Sequence, residues 1–95
     1  QQVTNIPVAF FMFTVYALHS IAHNKLYIGF TADIEKRLAS HNSLATKGYT
    51  LKYRPWNLVY TETFDSKSDA MRREKELKSA KGRAFIRGII DNRIG

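Results

Sequence analysis

The chain has 95 residues, with 15 Lys and Arg against 8 Asp and Glu and a formal net charge of +7. A chain of this length holds a single core, and its 44% hydrophobic and 24% charged residues are ordinary globular values that exclude a disordered tail or a fibrous repeat. Cysteine is absent, which excludes disulfides, thiolate zinc sites and cysteine nucleophiles.

The longest apolar stretch, residues 6–18, does not predict a membrane span. Pro7 and Thr14 interrupt it, and it falls short of the roughly 20 residues needed to cross a bilayer. No Lys or Arg precedes Lys25, so the basic segment that opens a secretory signal is missing. We therefore expect a cytoplasmic protein without a membrane partner.

The formal charges all lie in residues 25–95, because residues 1–24 contain no Lys, Arg, Asp or Glu. An excess of positive charge is typical of domains that bind a polyanion, and nucleic acid is the first candidate. Many small domains are basic without such a partner, so charge alone leaves both interpretations open.

Two alternating segments near the start of the chain predict a β-hairpin. Residues 9–18 are dense in Phe, Val and Tyr and predict a strand, and residues 26–30 predict a second. The intervening residues 19–25 are mostly polar and predict the turn. In a symmetric hairpin Tyr16 would face Tyr27.

The next two segments predict a helix and a loop. Thr31 is placed to cap a helix over residues 32–42, and acidic residues in the first turn favour it. Residues 43–55 are rich in Lys, Arg and Tyr and predict a loop that closes at Arg54-Pro55-Trp56.

The last part of the chain predicts one strand and two helices. Residues 57–64 alternate like a strand, and Ser66 with Asp69 opens a predicted helix over residues 67–81. Gly82 is expected to end that helix, and a short apolar helix follows. The order predicts an α+β fold: a small three-stranded, largely antiparallel sheet flanked by about three helices.

Glu74 falls on an apolar face of its predicted helix, in a stripe that runs from Ala70 and Leu77 to Met71. A carboxylate there carries a desolvation cost unless a cation compensates it. An ion pair with Lys78, four residues on, is one explanation, and a bound metal ion is another.

The first predicted helix shows a similar irregularity. His41 lies beside the apolar pair Ile34 and Leu38, and Arg37 lies on the same flank one turn earlier. Taken singly, such a histidine is more often a packed core residue, and such an arginine is usually solvated.

Five side chains converge on faces that are expected to pack together. They are Tyr16, Tyr27, Arg37, His41 and Glu74. These residue types suffice for phosphodiester chemistry, because Glu binds a divalent metal, Arg neutralises phosphate charge, and Tyr or His moves a proton.

Short motifs follow one another along the chain. They are Tyr16 with Tyr27-Ile28-Gly29, Arg37 with His41, residues 70–74 with Lys78, and the segments Arg54-Pro55-Trp56 and 78–82. In content and spacing the chain resembles the GIY-YIG endonuclease family, in its small single-domain bacterial type, and is similar to the nuclease domain of the excinuclease C subunit. Residues 1–11 have no counterpart and are expected to be an N-terminal extension, with one nuclease-like domain over residues 12–95.

The resemblance implies metal-dependent hydrolysis of a DNA phosphodiester bond. Glu74 would hold one Mg²⁺ or Mn²⁺ ion, Arg37 would stabilise the charge that develops at phosphorus, and Tyr16 or Tyr27 would accept the proton of the attacking water. His41 would orient a phosphate oxygen or relay the proton. No small-molecule cofactor is expected.

Basic and aromatic residues alternate in the predicted loop, a pattern that favours contact with DNA phosphates and exposed bases. The expected DNA-binding residues are Lys47, Tyr49, Lys52, Tyr53, Arg54 and, from the later helix, Lys78. A solvated loop that is basic by chance is the competing interpretation.

Two other functions compete with cleavage. The first motif reads Thr14-Val15-Tyr16, with Thr in place of the leading Gly of the family, which favours a non-cleaving nucleic-acid-binding module that has kept the fold. A zinc protein using His19, His23 and His41 is a weaker hypothesis, because the chain lacks cysteine and a matching carboxylate spacing.

Overall fold

Three strands and four helices form the part of the chain that the computed structural model describes, residues 12–44 and 48–94. The elements are β1 (Phe13–Ser20), β2 (Lys25–Thr31), α1 (Ile34–Ala39), a π-helical turn (Ser40–Leu44), α2 (Tyr49–Lys52), β3 (Asn57–Phe64), α3 (Lys67–Lys78) and α4 (Ala80–Ile94). The predicted α+β class and the third strand are confirmed. Residues 9–11 of the predicted first strand, and the expected extension 1–11, lie outside the described residues.

The sheet is antiparallel throughout, with β1 between β2 and β3. The predicted register is wrong by two residues, because Tyr16 pairs with Gly29 and Leu18 pairs with Tyr27. The hairpin closes at Ser20 and Lys25, so its turn is shorter than the polar segment suggests. A shift of two keeps every side chain on its original face, and both tyrosines still share one face.

Helices cover both faces of the sheet. On one face, α3 and α4 pack in the main core, which consists of Val15, Ala17, Leu26, Ile28, Val59, Ala70, Leu77, Ile86 and Ile90. Alternation along β1 puts Tyr16 and Leu18 on the opposite face, where they pack with Trp56 and with the α1 residues Ile34 and Leu38. The tyrosine face is therefore enclosed by the segment between β2 and β3.

The helix starts follow local capping chemistry. Asp33, and not the predicted Thr31, caps α1: its Oδ1 accepts a hydrogen bond from the Lys36 backbone N–H at 3.1 Å. Thr31 instead uses its hydroxyl to accept from the Asp33 N–H at 3.1 Å. The predicted cap of α3 is confirmed, because Ser66 Oγ accepts from the Asp69 N–H at 3.3 Å.

The predicted loop 43–55 contains one helical turn, α2, and the predicted break after α3 is misplaced. The helix ends at Lys78 because Ser79 adopts an extended conformation and its hydroxyl accepts from the Gly82 N–H at 3.1 Å. Gly82 lies inside α4, where a Cβ atom would approach the Leu77 Cα to 2.4 Å. Gly82 therefore allows α3 and α4 to meet closely, and the last helix is longer than predicted.

Within the described ranges, none of the helices combines the length and apolar character that a membrane crossing requires.

Candidate active site

The Tyr16 hydroxyl is the centre of a buried polar group beneath α1. Tyr16 lies in the middle of the central strand with 1% of its surface exposed. Its hydroxyl oxygen accepts a hydrogen bond from Arg37 Nε at 3.3 Å and lies 2.8 Å from His41 Nε2. Because Arg37 is the donor in the first bond, the phenolic proton is available for the second.

Gly29 makes room for the Tyr16 ring from the neighbouring strand. A Cβ atom at this position would lie 2.7 Å from the Tyr16 hydroxyl and 2.9 Å from Cζ, so any side chain would displace the ring. The Tyr27-Ile28-Gly29 motif therefore ends in glycine because the Tyr16 ring occupies the position that a side chain would need.

Tyr27 lies beside Tyr16 on the same face and is the more exposed of the two. The two rings are stacked with centroids 6.2 Å apart, and the His41 ring lies 4.6 Å from that of Tyr27. Tyr27 is also among the side chains that raise the pKa of Arg37, after Tyr16. Four of the five predicted site residues therefore form one connected group.

The protonation states of this group follow from burial and from two guanidinium groups. Burial, followed by the charges of Arg37 and Arg54, lowers the pKa of His41 to about 4, so its imidazole is neutral at neutral pH. Burial raises the pKa of Tyr16, against a lowering effect of the Arg37 hydrogen bond, so the phenol keeps its proton. The bond to Tyr16 raises the pKa of Arg37. Arg37 therefore donates to Tyr16, and the protonated Tyr16 hydroxyl shares a hydrogen bond with the neutral His41 imidazole.

Glu74 lies on α3, in the helical layer that packs on the other face of the sheet. Its side chain is 21% exposed, and Oε2 lies 3.4 Å from Lys78 Nζ. The charge of Glu74 contributes to the raised pKa of Tyr16, so the carboxylate acts electrostatically on the site without joining its hydrogen bonds. Ala70 and Leu77 are buried as predicted, but Met71 is half exposed, so the apolar stripe is narrower than predicted.

The donor set around Glu74 fits a hard divalent cation with few protein ligands. In residues 12–44 and 48–94, no three His, Cys, Asp or Glu side chains come together as a metal site. Mg²⁺ is commonly held by one or two carboxylates, with water and substrate phosphates completing its shell. A single, solvent-accessible carboxylate is compatible with that arrangement.

The three histidines of the zinc hypothesis lie in different surroundings. His19 Nε2 is 3.1 Å from Asn24 Oδ1, and the ring of His23 packs against Tyr53 with centroids 5.3 Å apart. His41 Nε2 is hydrogen-bonded to the Tyr16 hydroxyl. The structure therefore does not bring these side chains to one metal position.

A patch of tyrosines and lysines adjoins Tyr27; we call Lys25, Tyr49, Lys52 and Tyr53 the tyrosine–lysine patch. The Lys25 and Lys52 amines lie 5.3 and 5.4 Å from the Tyr53 ring centroid. Tyr49 is 47% exposed, and its ring lies 6.4 Å from that of Tyr27. Lys25, on the hairpin, was not among the residues predicted from the sequence to bind DNA, because its approach to Tyr53 is a tertiary contact.

The other residues expected to bind DNA are placed differently. Lys47 lies outside the described residues. Lys78 has a 54% exposed side chain and pairs with Glu74. Arg54 is half-buried and donates to the carbonyl oxygens of His41 and Ser40 at 2.6 and 3.2 Å.

Thr14 replaces the expected glycine without visible strain. It pairs with Thr31 on β2 and with Thr63 on β3. Among the described residues other than glycine, only Asn24 has a positive φ, so the position of Thr14 needs no glycine conformation.

Comparison with known proteins gives a consistent result. Residues 12–87 match the GIY-YIG catalytic domain. A UPF0213 protein of Staphylococcus haemolyticus is 52% identical over 56 residues, covering 59% of this chain and 68% of that protein. One from Natronomonas pharaonis is 49% identical over 65 residues, covering 68% and 75%. The solution NMR structure of a UPF0213 protein from Bacillus halodurans has a TM-score of 0.51 and 30% identity, over 82% of this chain and 84% of the other.

Proposed function

Because the chain belongs to the GIY-YIG catalytic domain family, we propose that it is a metal-dependent endonuclease that hydrolyses phosphodiester bonds in DNA. The observation that carries the proposal is the convergence of Tyr16, Tyr27, Arg37 and His41 in one hydrogen-bonded and stacked group. The group brings together two phenol side chains, the Arg37 guanidinium and the neutral His41 imidazole.

Arg37 is the group that meets the phosphate. It lines an open cleft of about 180 Å³ together with Lys36 and Asp33, so two cations and one carboxylate border the space that a phosphate would enter. Its bond to Tyr16 holds the guanidinium in place before substrate arrives. A preorganised guanidinium stabilises the charge that develops on the phosphoryl oxygens in the transition state.

The two tyrosines have different roles because their exposure differs. Tyr27 reaches solvent, whereas Tyr16 is 1% exposed. We assign the water to Tyr27, which acts as the general base that takes a proton from the attacking water. The resulting hydroxide forms the new bond to phosphorus as the bond to the leaving oxygen breaks. Tyr16 keeps its proton and holds Arg37 and His41 in position.

Glu74 would hold the divalent cation, which when bound supplies Lewis-acid stabilisation of the leaving oxygen. The Lys78 ammonium, 3.4 Å from Oε2, pairs with the carboxylate and orients it. The tyrosine–lysine patch, with Lys47 two residues before Tyr49 in the sequence, would bind DNA beside the reacting phosphate.

Nicking of supercoiled plasmid tests this proposal directly. We expect nicking with Mg²⁺ or Mn²⁺, none with a chelator, and none by Glu74→Gln, which keeps the side-chain volume but loses the anionic oxygen. Glu76→Gln is the matched control: it changes a more exposed carboxylate on the same helix, one that pairs with Arg73, and should nick like the wild type.

Binding of DNA without any metal-dependent nicking would refute the proposal and would establish the non-cleaving module instead. Nicking retained by Glu74→Gln would remove Glu74 from the metal site.

A further inference from the structure

Arg54 was expected to face DNA, but its guanidinium is directed at the backbone of the π-turn. Nε donates to the His41 carbonyl oxygen at 2.6 Å, and Nη2 donates to that of Ser40 at 3.2 Å. The carbonyl groups at the end of a helix need donors from elsewhere, and a guanidinium supplies two in a fixed geometry. Arg54 therefore binds the backbone of the residue whose ring contacts Tyr16.

The same segment holds the π-turn at a second point. The side-chain amide of Asn42 donates to the Trp56 carbonyl at 3.0 Å and accepts from the Trp56 N–H at 2.7 Å. The Trp56 ring is buried, and its Nε1 donates to the Thr50 carbonyl at 2.8 Å. Residues 54–56 thus bind three consecutive residues of the π-turn.

These hydrogen bonds determine where the His41 ring lies, because His41 is buried and its ring packs against Tyr16 and Tyr27. The titratable and charged groups facing it are Tyr16 from β1, Tyr27 from β2, Arg37 from α1 and Arg54 from the segment before β3. A π-helical turn is an irregular conformation that often occurs at functional sites. A small rotation of this turn would carry Nε2 away from the Tyr16 hydroxyl.

We propose that Arg54 is a positioning residue, which holds the π-turn so that the His41 ring stays on the Tyr16 hydroxyl, and that it is not a DNA-binding residue. The effect of Arg54 on catalysis rests on the proposed nuclease function, whereas its effect on the position of the His41 ring does not depend on cleavage. The Arg54 charge also contributes to keeping the His41 imidazole neutral.

Two variants of Arg54 separate positioning from DNA binding. Arg54→Lys keeps the charge but cannot donate two parallel hydrogen bonds, and Arg54→Gln removes the charge as well. If Arg54 positions His41, we expect Arg54→Lys to lower kcat for nicking by roughly tenfold to a hundredfold with KM unchanged, as for other small misplacements of catalytic groups. Arg93→Gln, which removes an exposed arginine near the end of α4, controls for net charge.

An NMR titration of the His41 ring in the full chain gives a readout that does not depend on nicking. We expect the pKa of His41 to rise in Arg54→Gln, and the cross-peaks between the His41 and Tyr27 rings to weaken in both Arg54 variants. Arg93→Gln should change neither. Should Arg54→Gln fail to fold, Arg54→Lys provides the cross-peak and kcat comparisons.

The opposite pattern would overturn the inference. A His41 titration and ring cross-peaks identical to wild type in both variants would show that Arg54 does not position the ring. A DNA-binding salt dependence reduced in Arg54→Gln but kept in Arg54→Lys, with kcat unchanged, would identify a phosphate contact. If the wild-type protein fails to nick, the proposed function fails, while the NMR comparison still decides the role of Arg54.

Discussion

The Tyr16 hydroxyl and the His41 Nε2 atom lie 2.8 Å apart and connect the central strand to the π-turn. Tyr16 is 1% exposed and His41 is 3% exposed, so water does not readily replace either partner. Arg37 donates to the same hydroxyl, so the phenol oxygen joins α1 and the π-turn to the central strand. This bond fixes the geometry of the candidate site before any substrate binds.

The first prediction separates the two tyrosines. Tyr27→Phe should abolish nicking and leave stability nearly unchanged, because it removes the hydroxyl to which we assign the attacking water. Tyr16→Phe should destabilise the protein by about 1–3 kcal/mol, because the buried imidazole loses its partner, and should slow nicking without abolishing it. Plasmid nicking and urea unfolding measure the two effects.

Tyr60→Phe is the control for these variants, because the Tyr60 hydroxyl donates to Glu62 at 3.2 Å within β3. It should retain full nicking. If Tyr16→Phe lost nicking completely while Tyr27→Phe kept full activity, Tyr16 and not Tyr27 would be the residue that activates the water.

The second prediction concerns the space over Gly29. Gly29→Ala puts a methyl group 2.7 Å from the Tyr16 hydroxyl, so the ring must move and its bond to His41 must lengthen or break. We expect a loss of about 1–3 kcal/mol in stability and a strong loss of nicking. Gly88→Ala is the control, since its Cβ would meet no atom within 4 Å and alanine favours a helix. Wild-type activity in Gly29→Ala would contradict this account of the motif glycine.

The third prediction is a pH dependence of stability. The pKa of His41 is about 4 in the folded chain, below the value of about 6.5 expected on unfolding. Between these values the unfolded chain binds a proton that the folded chain does not, so acidification favours unfolding by roughly 3 kcal/mol across the window. The stability that the neutral His41 contributes is fully present above the pKa of the unfolded chain, about 6.5, and it is lost as the pH falls through the folded pKa of about 4.

Denaturant unfolding at pH 7 and pH 4 checks that dependence. His41→Gln should lose less stability on acidification than the wild type, whatever its stability at neutral pH. His23→Gln, which replaces an exposed histidine, should follow the wild type. Equal losses in His41→Gln and wild type would show that His41 does not titrate in this way.

The fourth prediction concerns the salt dependence of DNA binding. Lys47→Gln and Lys52→Gln should each reduce the slope of log K against log salt by about 0.9 if each lysine contacts one phosphate of duplex DNA. Lys67→Gln, at the exposed start of α3, should leave the slope unchanged. Slopes equal to wild type in Lys47→Gln and Lys52→Gln would show that DNA does not contact these two lysines.

The elements that depend on local pattern were predictable from the sequence. Alternation located β3, and Ser66 marked the start of α3 because a cap acts within one helical turn. The shared face of Tyr16 and Tyr27 also survived an incorrect register, since a shift of two residues preserves the alternation of a strand.

The arrangement that makes these residues a site was decided by contacts between distant parts of the chain. Periodicity placed His41 near an apolar face, but the π-turn and the Arg54 and Asn42 hydrogen bonds set its ring on Tyr16. Composition grouped Arg54 with the DNA-binding residues, whereas tertiary structure turned it toward backbone carbonyls. Sequence alone determined the residue types and their faces, because these follow from local geometry. Only tertiary structure decided their hydrogen-bond partners, because the packing of separate elements determines which donors and acceptors meet.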